Sequence, residues 1–109
     1  VRHPAIGTLR RKVALEAPAR AAGEGGAGVI TWSTIATAWA QIAPRVGREI
    51  VAADGLGGRV THDIRLRWRA SITPAMRFKL GTRLFDIRAV RDEDERRRWL
   101  VCLCEERVP

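Results

Sequence analysis

Between Val60 and Ile72 the chain reads VTHDIRLRWRASI, and taking every second residue sorts it into two unlike sets. Val60, His62, Ile64, Leu66, Trp68, Ala70 and Ile72 form one set; Thr61, Asp63, Arg65, Arg67, Arg69 and Ser71 form the other. Successive side chains leave a β-strand on opposite sides, so strict period-two alternation is the mark of a strand with one buried and one solvated face. A helix would scatter the same residues around its circumference. This segment commits the chain to sheet, and it sets three arginines about 7 Å apart on one surface.

The remaining segments fit the same plan. TLRRKVALEA, Thr8 to Ala17, alternates imperfectly and reads as an opening strand. VITWSTIATAWAQIAP, Val29 to Pro44, is rich in β-branched residues and holds Trp32 and Trp39, which favours a strand that Pro44 ends. VGREIVAAD, Val46 to Asp54, has helical spacing of Val46, Ile50, Val51 and Ala53, and the GLGG that follows would terminate a short helix. Beyond a turn at Pro74 come a strand from Met76 to Leu80, a Gly81-Thr82 turn and a strand from Leu84 to Val90. RDEDER is a charged turn, and RRWLVCLCEE, Arg97 to Glu106, is apolar on both faces, as a centrally placed strand should be. The expected fold is mainly β: a small antiparallel barrel or sandwich of about six strands with one short helix, formed by residues 1–109 as a single domain.

Residues 18–28, PARAAGEGGAG, interrupt this pattern with a glycine-rich stretch that reads as a long, flexible loop. GEGGAG within it matches the letters of a dinucleotide fingerprint, but that motif must follow a strand directly and open a helix, and neither condition holds. No cofactor is expected. The acidic run Asp92 to Glu95 is flanked by arginines and lacks the spacing of a calcium loop. His3 and His62 lack metal-ligand spacing, and His62, on the apolar face of its strand, has no nucleophile motif beside it. Cys102 and Cys104 would lie about 7 Å apart with parallel Cβ directions on a strand, outside the usual disulfide range of about 4.4–6.8 Å. They read as free thiols of a reducing compartment. An enzyme is not expected.

Charge narrows the choice of partner. Twenty basic and twelve acidic residues give a formal net charge of +8, so the chain is drawn to polyanions or acidic surfaces. No apolar run approaches the roughly 20 residues that cross a bilayer, and no basic-then-apolar leader opens the sequence, so neither a membrane nor export is indicated. The stripe of Arg65, Arg67 and Arg69 has two readings. In one it is a solvated face paired with acids such as Glu16, Asp63, Asp86 or Glu105. In the other it meets phosphates or the acidic face of another subunit, where desolvated bidentate contacts are stronger. The arrangement lacks the exposed aromatics on which single-strand binders stack bases, since Trp68 and Phe78 read as inward. An OB-like nucleic-acid-binding barrel is the alternative reading, supported by the basic balance.

Taken in order, the segments resemble the phage head–tail joining proteins, also called head closure or stopper proteins. GTLRRKVAL resembles their opening strand, with Gly7, Leu9 and Val13 as landmarks. Trp32, then Trp39, Ala40, Ile42 and Pro44, closed by Gly47, Arg48 and Glu49, is similar to the family's Trp-Ala-x-Ile-x-Pro stretch and its Gly-Arg-Glu. Ile72, Met76 and Arg77 resemble the turn after the central strand, and residues 85–105 the closing hairpin.

This resemblance implies a small β-barrel working in rings, at the neck between capsid portal and tail of a phage or a phage-derived gene transfer agent. The implied partners are other copies of the chain in a ring of six, a portal-bound adaptor ring, a tail terminator ring and the double-stranded DNA passing through the channel. The implied location is the neck of a virion or virion-like particle assembled in the bacterial cytoplasm. Arg65, Arg67 and Arg69 become candidates for facing a neighbouring subunit or adjoining ring, and Arg48 and Glu49 a candidate intersubunit charge pair. Arg20, Gly23, Glu24, Gly25, Gly26 and Gly28 belong to the candidate channel or docking loop.

Overall fold

The alternation that begins at Val60 survives folding, but over a shorter length. Ile64 and Leu66 are fully buried, and the strand that holds them runs His62–Arg67. A turn at Ala70 and Ser71, followed by Pro74, takes the chain out of the sheet. Val60 belongs to a separate short strand, and Arg69 lies beyond the strand end.

The computed structural model describes residues 9–22, 28–52 and 58–107. Its strands are β1 (Arg11–Ala22), β2 (Gly28–Pro44), β3 (Val51–Ala52), β4 (Arg59–Val60), β5 (His62–Arg67), β6 (Arg77–Leu80), β7 (Arg83–Asp92) and β8 (Trp99–Glu106). Six of them close into an antiparallel barrel in the order β1-β2-β5-β8-β7-β6, while β3 and β4 pair as a small separate ribbon. Closure removes the exposed edges that an open sheet of this size would present.

The barrel interior is filled from every wall. Val13 and Leu15 of β1, Ala40 of β2, Ile64 and Leu66 of β5, Phe78 of β6, Phe85 and Ile87 of β7, and Leu100, Cys102 and Cys104 of β8 form one buried cluster. Val101 is also buried although it points away from that cluster, flanked in register by Arg65 and Arg91. The apolar two-faced character of this last strand therefore reflects burial on both sides, as a central strand requires.

Two expectations are corrected. The segment from Val46 forms no α-helix; a 3₁₀ turn at Gly47–Glu49 leads directly into β3. Gly47 has φ +54, a left-handed conformation that no α-helix contains, and Ile50 is already extended at φ −77, ψ 114. The second correction concerns residues 18–28. β1 continues through Pro18 to Ala22, and β2 starts at Gly28, so both flanks of the expected loop are strand. Pro18 is tolerated because this part of β1 is bonded on one side only, to β2, and a missing N–H there interrupts no second ladder.

The result is a barrel with an arm. β1 and β2 pair along their whole lengths, from Arg11↔Ala40 to Ala22↔Gly28, yet β1 meets β6 only at residues 14–16 and β2 meets β5 only at 40–44. Between Leu15↔Ala36 and Glu16↔Thr34 the register shifts by one, leaving Ile35 as the extra residue of a bulge. Beyond that bulge the two strands run out together.

Candidate docking surface

β5 stops pairing with β2 after Ala40↔Leu66. Extending that register sets Arg67 across from Trp39 and Arg69 across from Thr37, and the contacts agree: Nη1 of Arg69 donates to the Thr37 carbonyl at 3.4 Å. On the other side of Trp39, β1 places Lys12 directly opposite in register. A tryptophan is thus bracketed by cationic side chains on the outside of the barrel. Leu9, Thr37, Ala38, Trp39, Arg67 and Arg69 line a groove of about 380 Å³ there.

Trp39 is 56% exposed. This corrects the expectation that no aromatic accompanies the arginines on the surface. The missed signal lay in β2 itself, where Ala36, Ala38 and Ala40 alternate with Ile35, Thr37 and Trp39. The alanines are small enough to lie against the barrel, and the larger odd-numbered side chains point outward.

The three arginines of the stripe have different circumstances. Arg65 is half-buried, with Nε 3.4 Å from the carboxylate of Glu93, itself buried in the turn between β7 and β8. Arg69 reaches the Thr37 carbonyl. Arg67 is exposed, and its guanidinium has no hydrogen-bond or ion-pair partner among the described residues. It also forms one wall of a second, more polar cavity of about 480 Å³ with Trp68, Arg97, Arg98 and Trp99. The Arg97 guanidinium stands 5.6 Å from the Trp68 ring centre, and Arg98 pairs with Asp94 at 2.9 Å. Trp68 is half-buried against the core, and Phe78 is wholly inside, as their spacing indicates.

The acids expected opposite the stripe are engaged elsewhere. Asp63 pairs with Arg45 at 2.9 Å, Glu16 with Arg77 at 2.7 Å, Glu105 with Arg88 at 2.8 Å and Asp86 with Arg107 at 2.8 Å. Glu105 also accepts the Arg59 N–H, and together the Arg59 and Arg88 bonds hold its carboxyl below the ordinary range. These pairs knit neighbouring strands together and, among the described residues, leave Arg67 without an acid of its own.

The arm is the second outward feature. Val29, Ile30 and Ile35 are each about half exposed on it. Its root is held by stacked charge and aromatic groups: Arg77 of β6 lies over the Trp32 ring at 4.0 Å while donating through Nε to Glu16. Glu16 is buried, so the ion pair replaces solvent for both groups. A guanidinium over an indole contributes about 0.5–2 kcal/mol, more as water is excluded.

The other candidate residues divide. Arg20 lies in β1 opposite Ile30, and Gly28 opens β2 opposite Ala22, so both are strand positions. Gly23, Glu24, Gly25 and Gly26 lie outside the described residues. Arg48 and Glu49 sit exposed in the 3₁₀ turn. Glu49 accepts the Val46 N–H at 3.2 Å, and its own carbonyl accepts from Arg45 at 3.0 Å, so the turn is braced from within.

His62, Cys102 and Cys104 serve the barrel. The His62 ring meets Phe85 edge-on at 5.2 Å, its Nδ1 is 2.9 Å from the Thr61 hydroxyl, and burial pulls its pKa below 6.5 despite Glu106 nearby. Burial pushes Cys102 up to about 12 and Cys104 well above its usual value, so both stay protonated, un-nucleophilic thiols; they form no disulfide.

With this geometry in hand, the comparisons with known proteins converge. The sequence matches the description "phage head completion protein" over residues 4–107. Among solved structures it is similar to a chain in the virion of a native gene transfer agent particle, at 26% identity over 92% of this chain and 96% of that one, with a TM-score of 0.64. It is also similar to protein SF1141 from Shigella flexneri 2a, known in solution, at 25% identity over 93% and 95% of the two chains, with a TM-score of 0.69. No curated protein matches it.

Proposed function

The chain belongs to the phage head completion protein family, and from that premise we propose that it is a structural, non-catalytic component of the neck that joins a DNA-filled capsid to its tail. In finer terms it is a head closure protein: copies assemble into a ring, six to a neck, between a portal-bound adaptor ring and the tail terminator ring, with double-stranded DNA passing through the centre. Its place is the neck of a phage virion or gene transfer agent particle assembled in the bacterial cytoplasm. The similarity to a chain of a gene transfer agent virion supports the particle setting.

The observation that carries this reading is the arm: a small, closed barrel extends two of its strands into an unaccompanied ribbon on which Val29, Ile30 and Ile35 are about half exposed. Exposed apolar surface on a protein this basic is what a subunit awaiting neighbours presents. A ring closes through head-to-tail contacts between two different faces of each copy. The arm supplies one such face. Arg67 and Arg69 belong to another, which meets a neighbouring subunit or adjoining ring, with Arg65 bound more to Glu93 than to any partner. Arg48 is free to reach across a subunit boundary, whereas Glu49 begins from a braced position.

The test is complementation of a particle-forming strain lacking the chain. Restoring the natural sequence is expected to return tailed, filled particles with its density at the neck in electron micrographs. Arg67 and Arg69 changed together to Gln, with the Arg65–Glu93 pair left intact, should fold normally by circular dichroism yet leave heads without tails. Tailed, filled particles forming in the complete absence of the chain would overturn the proposal.

A further inference from the structure

Trp39 combines three properties that barrel packing does not call for. It is more than half exposed. Lys12 stands opposite it in register and Arg67 shares its groove on the other side, and neither has an ion-pair partner among the described residues. It also forms part of a concave, mostly apolar groove whose remaining polar groups are Thr37 and the guanidiniums of Arg67 and Arg69.

A solvated basic face would not need the indole, and an apolar docking patch would not need three cations. Together they describe a receptor for a segment that brings an apolar side chain and carboxylates at once. We propose that this groove binds an acidic segment of a different protein, seating one apolar side chain against Trp39 and Leu9 and setting flanking carboxylates on Arg67, Arg69 and Lys12. The inference deepens the neck reading and rests on it, because it gives the basic face a protein partner rather than a nucleic acid.

Charge favours an acidic segment of another protein, in the adjoining ring, over a second copy of this basic chain. Each copy carries a formal +8, so a second copy brings a surplus of like charge to this face, which is costly as water leaves. The best-placed acids of the chain, Glu16, Asp63, Asp86 and Glu105, are already held by its own arginines. Nucleic acid suits the groove less well. A single exposed tryptophan is not a stacking platform for successive bases. A groove of about 380 Å³ with an apolar lining admits a side chain, whereas a duplex binds through a broad track of phosphate contacts. Arg67 is the pivotal cation, since it also lines the adjoining cavity with Arg97 and Arg98, where a longer acidic segment would continue.

The experiment uses the full chain and a short fluorescent peptide of one leucine flanked on both sides by aspartates, followed by anisotropy. Saturable binding is expected, with none for the same peptide carrying lysines in place of aspartates. Trp39→Ala, which removes a half-exposed ring and should leave the barrel folded, is expected to weaken binding by about tenfold or more. Arg67→Gln with Arg69→Gln should weaken it further and flatten its dependence on salt. Three outcomes each overturn the assignment: no binding of the acidic peptide, binding indifferent to Trp39→Ala, or tighter binding of oligothymidylate or a short duplex with the same response to the substitutions. Any of these alongside normal incorporation of the chain into necks removes the groove assignment and leaves the neck reading standing. Absence of the chain from tailed particles removes the neck reading whatever the peptide does.

Discussion

The barrel and the arm share two strands, β1 and β2, and they differ in almost every physical respect. Within the barrel, β1 and β2 have neighbours on both sides and bury Val13, Leu15 and Ala40. Beyond Glu16 and Thr34 they are paired only with each other and display Val29 and Ile30 to solvent. A lone two-stranded ribbon is marginal in water, and here it is tethered through Trp32, Arg77 and Glu16. The contrast teaches that burial and exposure are separated along a single strand: one half closes the core, and the other, in the proposed neck, is left for a partner.

The sharpest way to break the comparison is to damage the barrel alone. Phe85 is fully buried and faces Phe78 across β6 and β7. Phe85→Ala should cost about 3–5 kcal/mol, seen as a large fall in the denaturation midpoint. A loss below about 1 kcal/mol would mean that the barrel interior is not where stability resides.

Alkaline titration acts on the same interior by another route. Cys102 and Cys104 ionise near 9.0 when unfolded and resist ionisation when buried, with Cys102 pushed up to about 12. Their folded values are raised, so the contribution to stability is whole below 9.0 and is lost as pH rises through the interval above it. The expected slope is about 1.4 kcal/mol per pH unit for each thiol. Denaturant midpoints measured on either side of 9.0 should show the decline, and a Cys102→Ala variant should show a shallower one. An identical slope in both would sink the assignment.

The smallest effect on stability should come from the arm. Val29→Ser, Ile30→Ser and Ile35→Ser are each expected to change monomer stability by no more than about 0.5 kcal/mol while preventing incorporation into particles. Should the three together unfold the chain, the arm would be part of the folding unit, and the distinction drawn between the two regions would fail.

Much of this was legible from local pattern. Ile64 and Leu66 alternate with Asp63, Arg65 and Arg67, and the turn at Gly81 and Thr82 stands between two short strands, just where β6 and β7 meet. The segment from Val46 was misleading because helical spacing of its apolar residues coincides with strand-forming β-branching. The left-handed backbone at Gly47 then decides for a turn and β3. The glycine-rich stretch hid the length of the arm, since small residues signal a loop whether or not strands run up to it from either side.

What the linear order of residues determined alone was sheet: that most segments are strands, that β5 has one apolar face, and that the two cysteines are not partners. The partners of the charged groups were settled only by closure of the barrel. Register across strands far apart in the chain gives Asp63 to Arg45, Glu16 to Arg77 and Glu93 to Arg65, and among the described residues leaves Arg67 unclaimed beside Trp39. The reason is range. Alternation is a property of neighbouring residues, whereas an ion pair or a groove depends on which distant strands come to lie side by side.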